Sequence, residues 1–239
     1  MNKGSIRMAL TGALTLALAT GLMGPAGARN TAIDFGSGSI GDWTSQANGT
    51  IGDVTVSDGD PVADVFIVGD SLTTLGRSDI IAAVNAEGRS AAVNYWSGRP
   101  TAPAVNWVLS LTTKPKILVM ATGTNDIFDP SVMSAQITRL LAGLPSTTKV
   151  LWVDTHASRW ARPADVQVAD QRNSGWVNVQ IHDKMGPAQV IPWSMWLQYR
   201  GPAYITHYLS DGVHPKAGTG TAFWAEVIMK SLRPLLAQL

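Results

Sequence analysis

Gly69-Asp70-Ser71-Leu72-Thr73 follows the apolar run Val65-Phe66-Ile67-Val68 directly and precedes a helix-like stretch from Ser78 to Glu87. A serine hydroxyl is a poor nucleophile at neutral pH, so it needs exposure at a sharp strand end and a base within reach. The glycine lets the backbone turn at that point without a side-chain clash. Gly, Asp and Ser are also ordinary turn residues, so this segment acquires chemical meaning only from partners elsewhere in the chain.

The first partner set is Ser210-Asp211-Gly212-Val213-His214-Pro215. An Asp and a His three residues apart, in a glycine-containing loop, let a carboxylate orient one ring nitrogen while the other faces a nucleophile. An Asp-Gly turn before a helix is the competing role. Ala121-Thr122-Gly123-Thr124-Asn125-Asp126 follows the apolar run Lys116–Ala121. There the Asn125 amide can donate to an oxyanion, or Asn125 or Asp126 can cap the next helix. In Trp96-Ser97-Gly98-Arg99-Pro100, Gly98 offers an unobstructed backbone N–H, or simply makes a turn.

These groups need a scaffold that brings strand ends together. Short β-branched or apolar runs at Val65–Val68, Ala91–Tyr95, Lys116–Ala121, Lys149–Val153 and Gln189–Ile191 alternate with helix-like windows. The windows lie near Ser78–Glu87, Thr101–Leu111, Ser131–Leu141, Val166–Lys184 and Lys216–Leu236. In the third, Val132, Ile137, Leu140 and Leu141 fall near one helical face. The strands lack strict polar alternation, as expected when both faces are covered. Five strand–helix units predict an α/β sandwich, three layers deep, on a central five-stranded parallel sheet. In such sheets ligands bind at the carboxyl ends of the strands, which is where Ser71 falls.

The four segments, in the order Ser71, Gly98, Asn125, then Asp211 with His214, resemble the blocks of the SGNH hydrolase superfamily, the GDSL esterases and lipases. The match is close at Gly69-Asp70-Ser71-Leu72, Gly123-Thr124-Asn125-Asp126 and Asp211-Gly212-Val213-His214-Pro215, and spans roughly Asp64 to Leu236. The second block, Ser97-Gly98-Arg99, lacks the fuller pattern many relatives show. Its Gly-Arg pair is similar to extracytoplasmic SGNH domains that move acetyl groups on cell-wall sugars. The resemblance implies a flavodoxin-like fold with Ser71 as nucleophile, His214 as general base and then acid, and Asp211 orienting His214. It implies an oxyanion hole of the Ser71 and Gly98 backbone N–H groups and the Asn125 side chain, and no metal or organic cofactor. The elbow Gly-x-Ser-x-Gly of the α/β-hydrolases is not met, since Thr73 stands where its second glycine would be.

The expected activity is therefore hydrolysis of carboxylic esters through an acyl-enzyme. A transferase that passes the acyl group to a cell-envelope sugar, and a catalytically silent envelope-binding domain, are the alternatives.

Lys3 and Arg7, the apolar stretch Met8–Met23 and the small residues Ala26-Gly27-Ala28 have the layout of a secretory signal peptide. Interruptions at Thr11, Gly12, Thr15, Thr20 and Gly21 make a membrane span weak, though an uncleaved anchor is the other reading. The expected organisation is a signal peptide over 1–28, a loop-rich arm over 29–62 that packs on the domain or spaces it from a membrane, and an SGNH domain over 63–239. A secreted or envelope location and a monomer follow.

With 18 basic and 17 acidic residues, composition gives no support to a basic nucleic-acid surface. The chain has no cysteine, so disulfides, thiolate chemistry and cysteine metal sites are excluded. His156, His182 and His207 lack metal-ligand spacing. Arg159, Trp160 and Arg162 follow a strand and can line the same mouth as Ser71. Trp193, Trp196, Tyr199, Tyr204 and Tyr208 suit a substrate wall, a lid or core packing equally.

Overall fold

The computed structural model describes residues 34–52, 56–57, 60–61, 63–199 and 201–239. The signal-peptide segment 1–28 lies outside them. In chain order the strands are β1 (Asn48–Gly52), β2 (Val56–Ser57), β3 (Asp60–Pro61), β4 (Val65–Gly69), β5 (Ala91–Trp96), β6 (Ile117–Ala121), β7 (Lys149–Val153) and β8 (Val190–Ile191). The helices are α1 (Ser71–Ala86), α2 (Thr101–Ser110), α3 (Met133–Gly143), α4 (Ala164–Lys184), α5 (Trp193–Gln198), α6 (Pro202–Tyr208) and α7 (Thr219–Leu236).

The main sheet runs β1-β5-β4-β6-β7-β8, and every neighbour pair except β1–β5 is parallel. The five parallel strands thus keep the flavodoxin-like order 2-1-3-4-5, whose connections diverge between β4 and β6. Alternate residues feed two cores. Val65, Ile67, Val119 and Leu151 pack with residues of α1 and α7, whereas Phe66, Val68, Leu118, Met120 and Trp152 pack with α2, α3 and α4. Because both faces are covered, β4 and β6 are buried at every position, which explains runs apolar throughout rather than alternating.

The sheet has six strands rather than five. Asn48–Gly52, within the segment read as a loop-rich arm, pairs antiparallel with β5 from Asn48↔Trp96 to Gly52↔Ala92. Its sequence, Asn-Gly-Thr-Ile-Gly, carries one aliphatic residue, so neither apolar content nor periodicity marks it. The edge of β5 supplies the missing ladder. Val56–Ser57 pairs antiparallel with Asp60–Pro61 as a separate two-stranded ladder.

Helix starts also differ from expectation. The first helix begins at Ser71, seven residues before Ser78, because Asp70 caps it by accepting from Leu72 N–H at 3.0 Å. The stretch Trp193–Tyr208, with no separate expectation, forms α5 and α6, each too short to show periodicity. Among the described residues no helix is long and apolar enough to cross a membrane.

Candidate active site

Ser71 is the first residue of α1, at the carboxyl end of β4. Three contacts fix the turn that presents it. Asp70 N–H donates to the Ala121 carbonyl at 3.3 Å, tying the turn to the end of β6. Arg99 donates through Nη2 to the Gly69 carbonyl and through Nη1 to Asn94 Oδ1, both at 2.8 Å. At Gly69 a Cβ would run into the Thr73 side chain and stand 2.8 Å from the Ala121 carbonyl oxygen, so a glycine is required by close approach.

Asp211 and His214 arrive from the far end of the sequence on the loop between α6 and α7. The loop is closed by Ser210 N–H donating to the His214 carbonyl at 2.9 Å. It is docked by Ser158 and Trp160, whose N–H groups donate to the carbonyls of Gly212 and Asp211, each at 3.0 Å. Gly212 has φ +88°, and a Cβ there would collide with the Ser158 carbonyl and the Trp160 ring. Within the loop the two Asp211 oxygens are divided between backbone and ring. Asp211 Oδ1 accepts from the N–H groups of Val213 and His214 at 3.0 and 2.8 Å, while Oδ2 lies 2.7 Å from His214 Nδ1. His214 Nε2 lies 2.9 Å from Ser71 Oγ.

A carboxylate, an imidazole and a hydroxyl in this relay can move a proton from the serine onto Nε2 as the oxygen attacks. Partial burial pushes the Asp211 carboxyl up, but hydrogen bonds from the His214 backbone and ring outweigh it and hold the group below its ordinary value. Asp211 is thereby kept ionised, as a ring-orienting group must be.

Asn125 lies in a 3-10 turn, Thr124–Phe128, directly after β6. It caps no helix. Asp126 instead serves the neighbouring α2, accepting from Thr101 N–H at 3.0 Å and Thr101 Oγ1 at 2.7 Å, and Asp129 accepts from Ser131 N–H at 3.2 Å ahead of α3. The Asn125 amide is held only loosely, donating to Asp70 Oδ2 at 3.5 Å and the Arg99 carbonyl at 3.4 Å. Asp70 and Asp126 are both pushed up to about 6, chiefly by burial, against hydrogen bonds that favour their ionised forms.

Ser71, Ser97, Gly98, Asn125 and His214 share one open cleft of about 320 Å³. All five residues singled out from the sequence therefore meet at or around one site, with Asp211 behind the ring. Part of the opposite wall was not anticipated: Ile40, Gly41, Asp42, Trp43 and Gln46 line the same cleft. Trp43 packs edge-on to Trp96, with ring centroids 4.9 Å apart, and its carbonyl accepts from Trp96 Nε1 at 2.9 Å. The one available signal was an aromatic residue in a segment otherwise rich in Gly, Ser, Asp and Thr.

Other candidates lie elsewhere. Arg159 binds Asp170 and the Ser37 carbonyl, and Arg159 and Arg162 border a separate cavity of about 510 Å³. Trp160 packs beside Gly212. Most of the Trp/Tyr-rich segment packs: Trp193 is buried, Tyr208 stacks on Phe223 of α7 at 4.1 Å, and Lys230 sits over Trp196, while Tyr199 is exposed. His182 faces Asp154 at 3.5 Å. Among the described residues no group of three His, Asp or Glu side chains assembles to hold a metal ion.

The layered sheet and its strand order make a flavodoxin-like α/β fold with Ser71 at the divergence of β4 and β6. Particular solved structures share it. The chain is similar to LAE5, an alpha/beta hydrolase enzyme from the metagenome of Lake Arreo, Spain, with a TM-score of 0.53 and 19% identity over 72% of this chain and 96% of that one. It is similar to a carbohydrate esterase family 3 protein from Talaromyces cellulolyticus, with a TM-score of 0.52 and 19% identity over 73% and 98%. It is also similar to the C-terminal catalytic domain of peptidoglycan O-acetyltransferase A from Streptococcus pneumoniae, with a TM-score of 0.51 and 15% identity over 72% and 94%. At these identities the likeness is one of fold. No protein-family model matches the sequence, and no curated protein matches it either.

Proposed function

We propose that the chain is an exported serine esterase that cleaves carboxylic esters through an acyl-enzyme. The observation that carries this reading is the continuous relay from Asp211 through His214 to Ser71, with contacts of 2.7 and 2.9 Å. Ser71 Oγ attacks the ester carbonyl carbon while His214 Nε2 accepts its proton. The oxyanion is held by the backbone N–H groups of Ser71 and Gly98 and the side-chain amide of Asn125. Collapse of the intermediate expels the alcohol, which takes the proton from His214 and leaves the acyl group on Ser71. Water then attacks that acyl group, giving its proton to His214, and the acid departs as the proton returns to Ser71.

The loosely bonded Asn125 amide suits this role, because its donor is free to turn toward a developing charge. Export rests on the Met1–Ala28 layout. The likeness in fold to a peptidoglycan O-acetyltransferase domain supports a second reading, in which a sugar hydroxyl replaces water as acceptor.

The test is a fluorophosphonate probe followed by peptide mapping. Labelling confined to Ser71 and lost in Ser71→Ala is expected. An unlabelled Ser71 in a folded protein would favour a silent envelope-binding domain. Hydrolysis of acetyl against long-chain esters, with and without sugar acceptors, then separates esterase from transferase by product.

A further inference from the structure

A second cavity, of about 380 Å³, opens between the segment after β7, the middle of α4, the last residue of α5 and α6. Its lining differs in kind from the Ser71 cleft. Thr155, His156, Gln171, Ser174, Asn178 and Gln198 supply hydroxyls, amides and one imidazole, and among the described residues no Asp, Glu, Lys or Arg lines it. Ile205 provides a single aliphatic patch.

Three features mark it as more than a gap between helices. The polar wall is held in place. Asn178 accepts from Thr155 N–H at 2.7 Å and donates to the Thr155 carbonyl at 2.8 Å, and Gln171 donates to Ser158 Oγ at 2.9 Å. His156 is 8% exposed, yet among the described residues its ring makes no hydrogen bond. Its ring nitrogens are not sealed off from the cavity, so they are open to whatever occupies it. Burial lowers its pKa below the ordinary histidine value, so the ring is neutral at neutral pH and offers one donor and one acceptor. Finally, Gly175 sits in α4 on the cavity wall, and a Cβ there would meet no atom within 4 Å. The helix presents bare backbone where a side chain would fill the space.

We infer that this cavity is a binding site for a neutral, hydroxyl-rich ligand, a saccharide unit, distinct from the Ser71 cleft. Amides and a neutral imidazole pair with hydroxyls, each of which donates and accepts. A charged ligand would lose hydration without meeting a counter-charge. A wholly apolar one would leave the amides and His156 unpaired. The volume lies at the lower end of the range for small-molecule sites, which suits one or two sugar rings.

The test uses the full chain with Ser71→Ala, so that binding is read without turnover and independently of what Ser71 does. Histidine Cε1 resonances are followed while methyl β-glucoside, cellobiose and N-acetylglucosamine are added, with glucuronic acid, glucosamine and indole as comparators. A saturable shift of the His156 signal is expected with at least one neutral saccharide, at least tenfold tighter than any comparator. Gly175→Leu should weaken it tenfold or more. In a chain that keeps Ser71, the same substitution should leave p-nitrophenyl acetate turnover within about twofold and thermal stability unchanged or raised, since it replaces a helical glycine. Gln198→Ala, at an exposed position, should weaken binding severalfold and serves if Gly175→Leu does not fold. No response to any neutral saccharide, binding that survives both substitutions, or a comparator bound as tightly would each overturn the site.

Discussion

The two halves of the Ser71–His214 pair are built in opposite ways. The serine sits on a turn fixed by the ends of β4, β5 and β6: Arg99 and Asp70 are 2% and 0% exposed, and the Gly69 carbonyl, Asn94 and Ala121 are all engaged. The histidine sits on a surface loop in which His214 and Asp211 retain 35% and 50% side-chain exposure, and their mutual geometry is set within four residues. The serine is positioned by tertiary packing, and the histidine ring by hydrogen bonds within its own loop. Damage to the packing behind the serine should therefore reach the fold, and damage to the Asp211–His214 contacts should reach the rate alone.

The largest effect tests the site as a whole. Ser71→Ala should lower ester turnover on the order of a millionfold with the melting temperature unchanged, because the backbone cap on Leu72 belongs to Asp70. Retained p-nitrophenyl acetate hydrolysis by a clean preparation would remove the nucleophile assignment. Asp211→Asn probes the loop. An asparagine can still accept from Val213 and His214 N–H, but its amide facing Nδ1 favours the wrong ring tautomer, so kcat should fall by roughly ten-thousandfold with little loss of stability. A large fall in melting temperature would show that the loop is not self-contained.

Asn125→Ala should cost about a hundred- to thousandfold in kcat if its amide meets the oxyanion. An effect confined to stability would make it a structural donor to Asp70 and the Arg99 carbonyl. Arg99→Met then reverses the pattern. It orphans the Gly69 carbonyl and Asn94 Oδ1 inside the protein, at roughly 1–3 kcal/mol for each acceptor left unpaired. Denaturant unfolding should show that loss, with any drop in activity following the displaced turn; an unchanged midpoint would refute the contrast between the two halves.

Much of the machinery was legible before the fold. The blocks around Ser71, Gly98 and Asn125 follow strand ends, and strand ends in a parallel α/β sheet converge on one edge, so their meeting follows from order alone, whereas Asp211–His214 reaches that edge on the loop between α6 and α7. The apolar runs of β4 and β6 were equally plain, because burial on both faces leaves little room for polar residues. The arm was not legible. Asn48–Gly52 becomes a strand through the free edge of β5, and Trp43 becomes a cleft wall through Trp96. Neither partner is near in sequence, and a segment's own composition carries no record of an edge donated from elsewhere.

The amino-acid sequence by itself determined the alternation of strand and helix, the order of the reactive residue types and the Asp211-to-His214 spacing, since each depends on local periodicity or on neighbours a few residues apart. Tertiary structure alone decided the sixth strand, the division of Asn125 and Asp126 into a cleft-lining and a capping residue, and the burial of Arg99 behind the Ser71 turn. It also decided that the aromatic segment packs on α7 while an amide-lined cavity forms around His156. All of these depend on contacts between residues far apart in the chain, where free energy is set by what each group meets once the layers close.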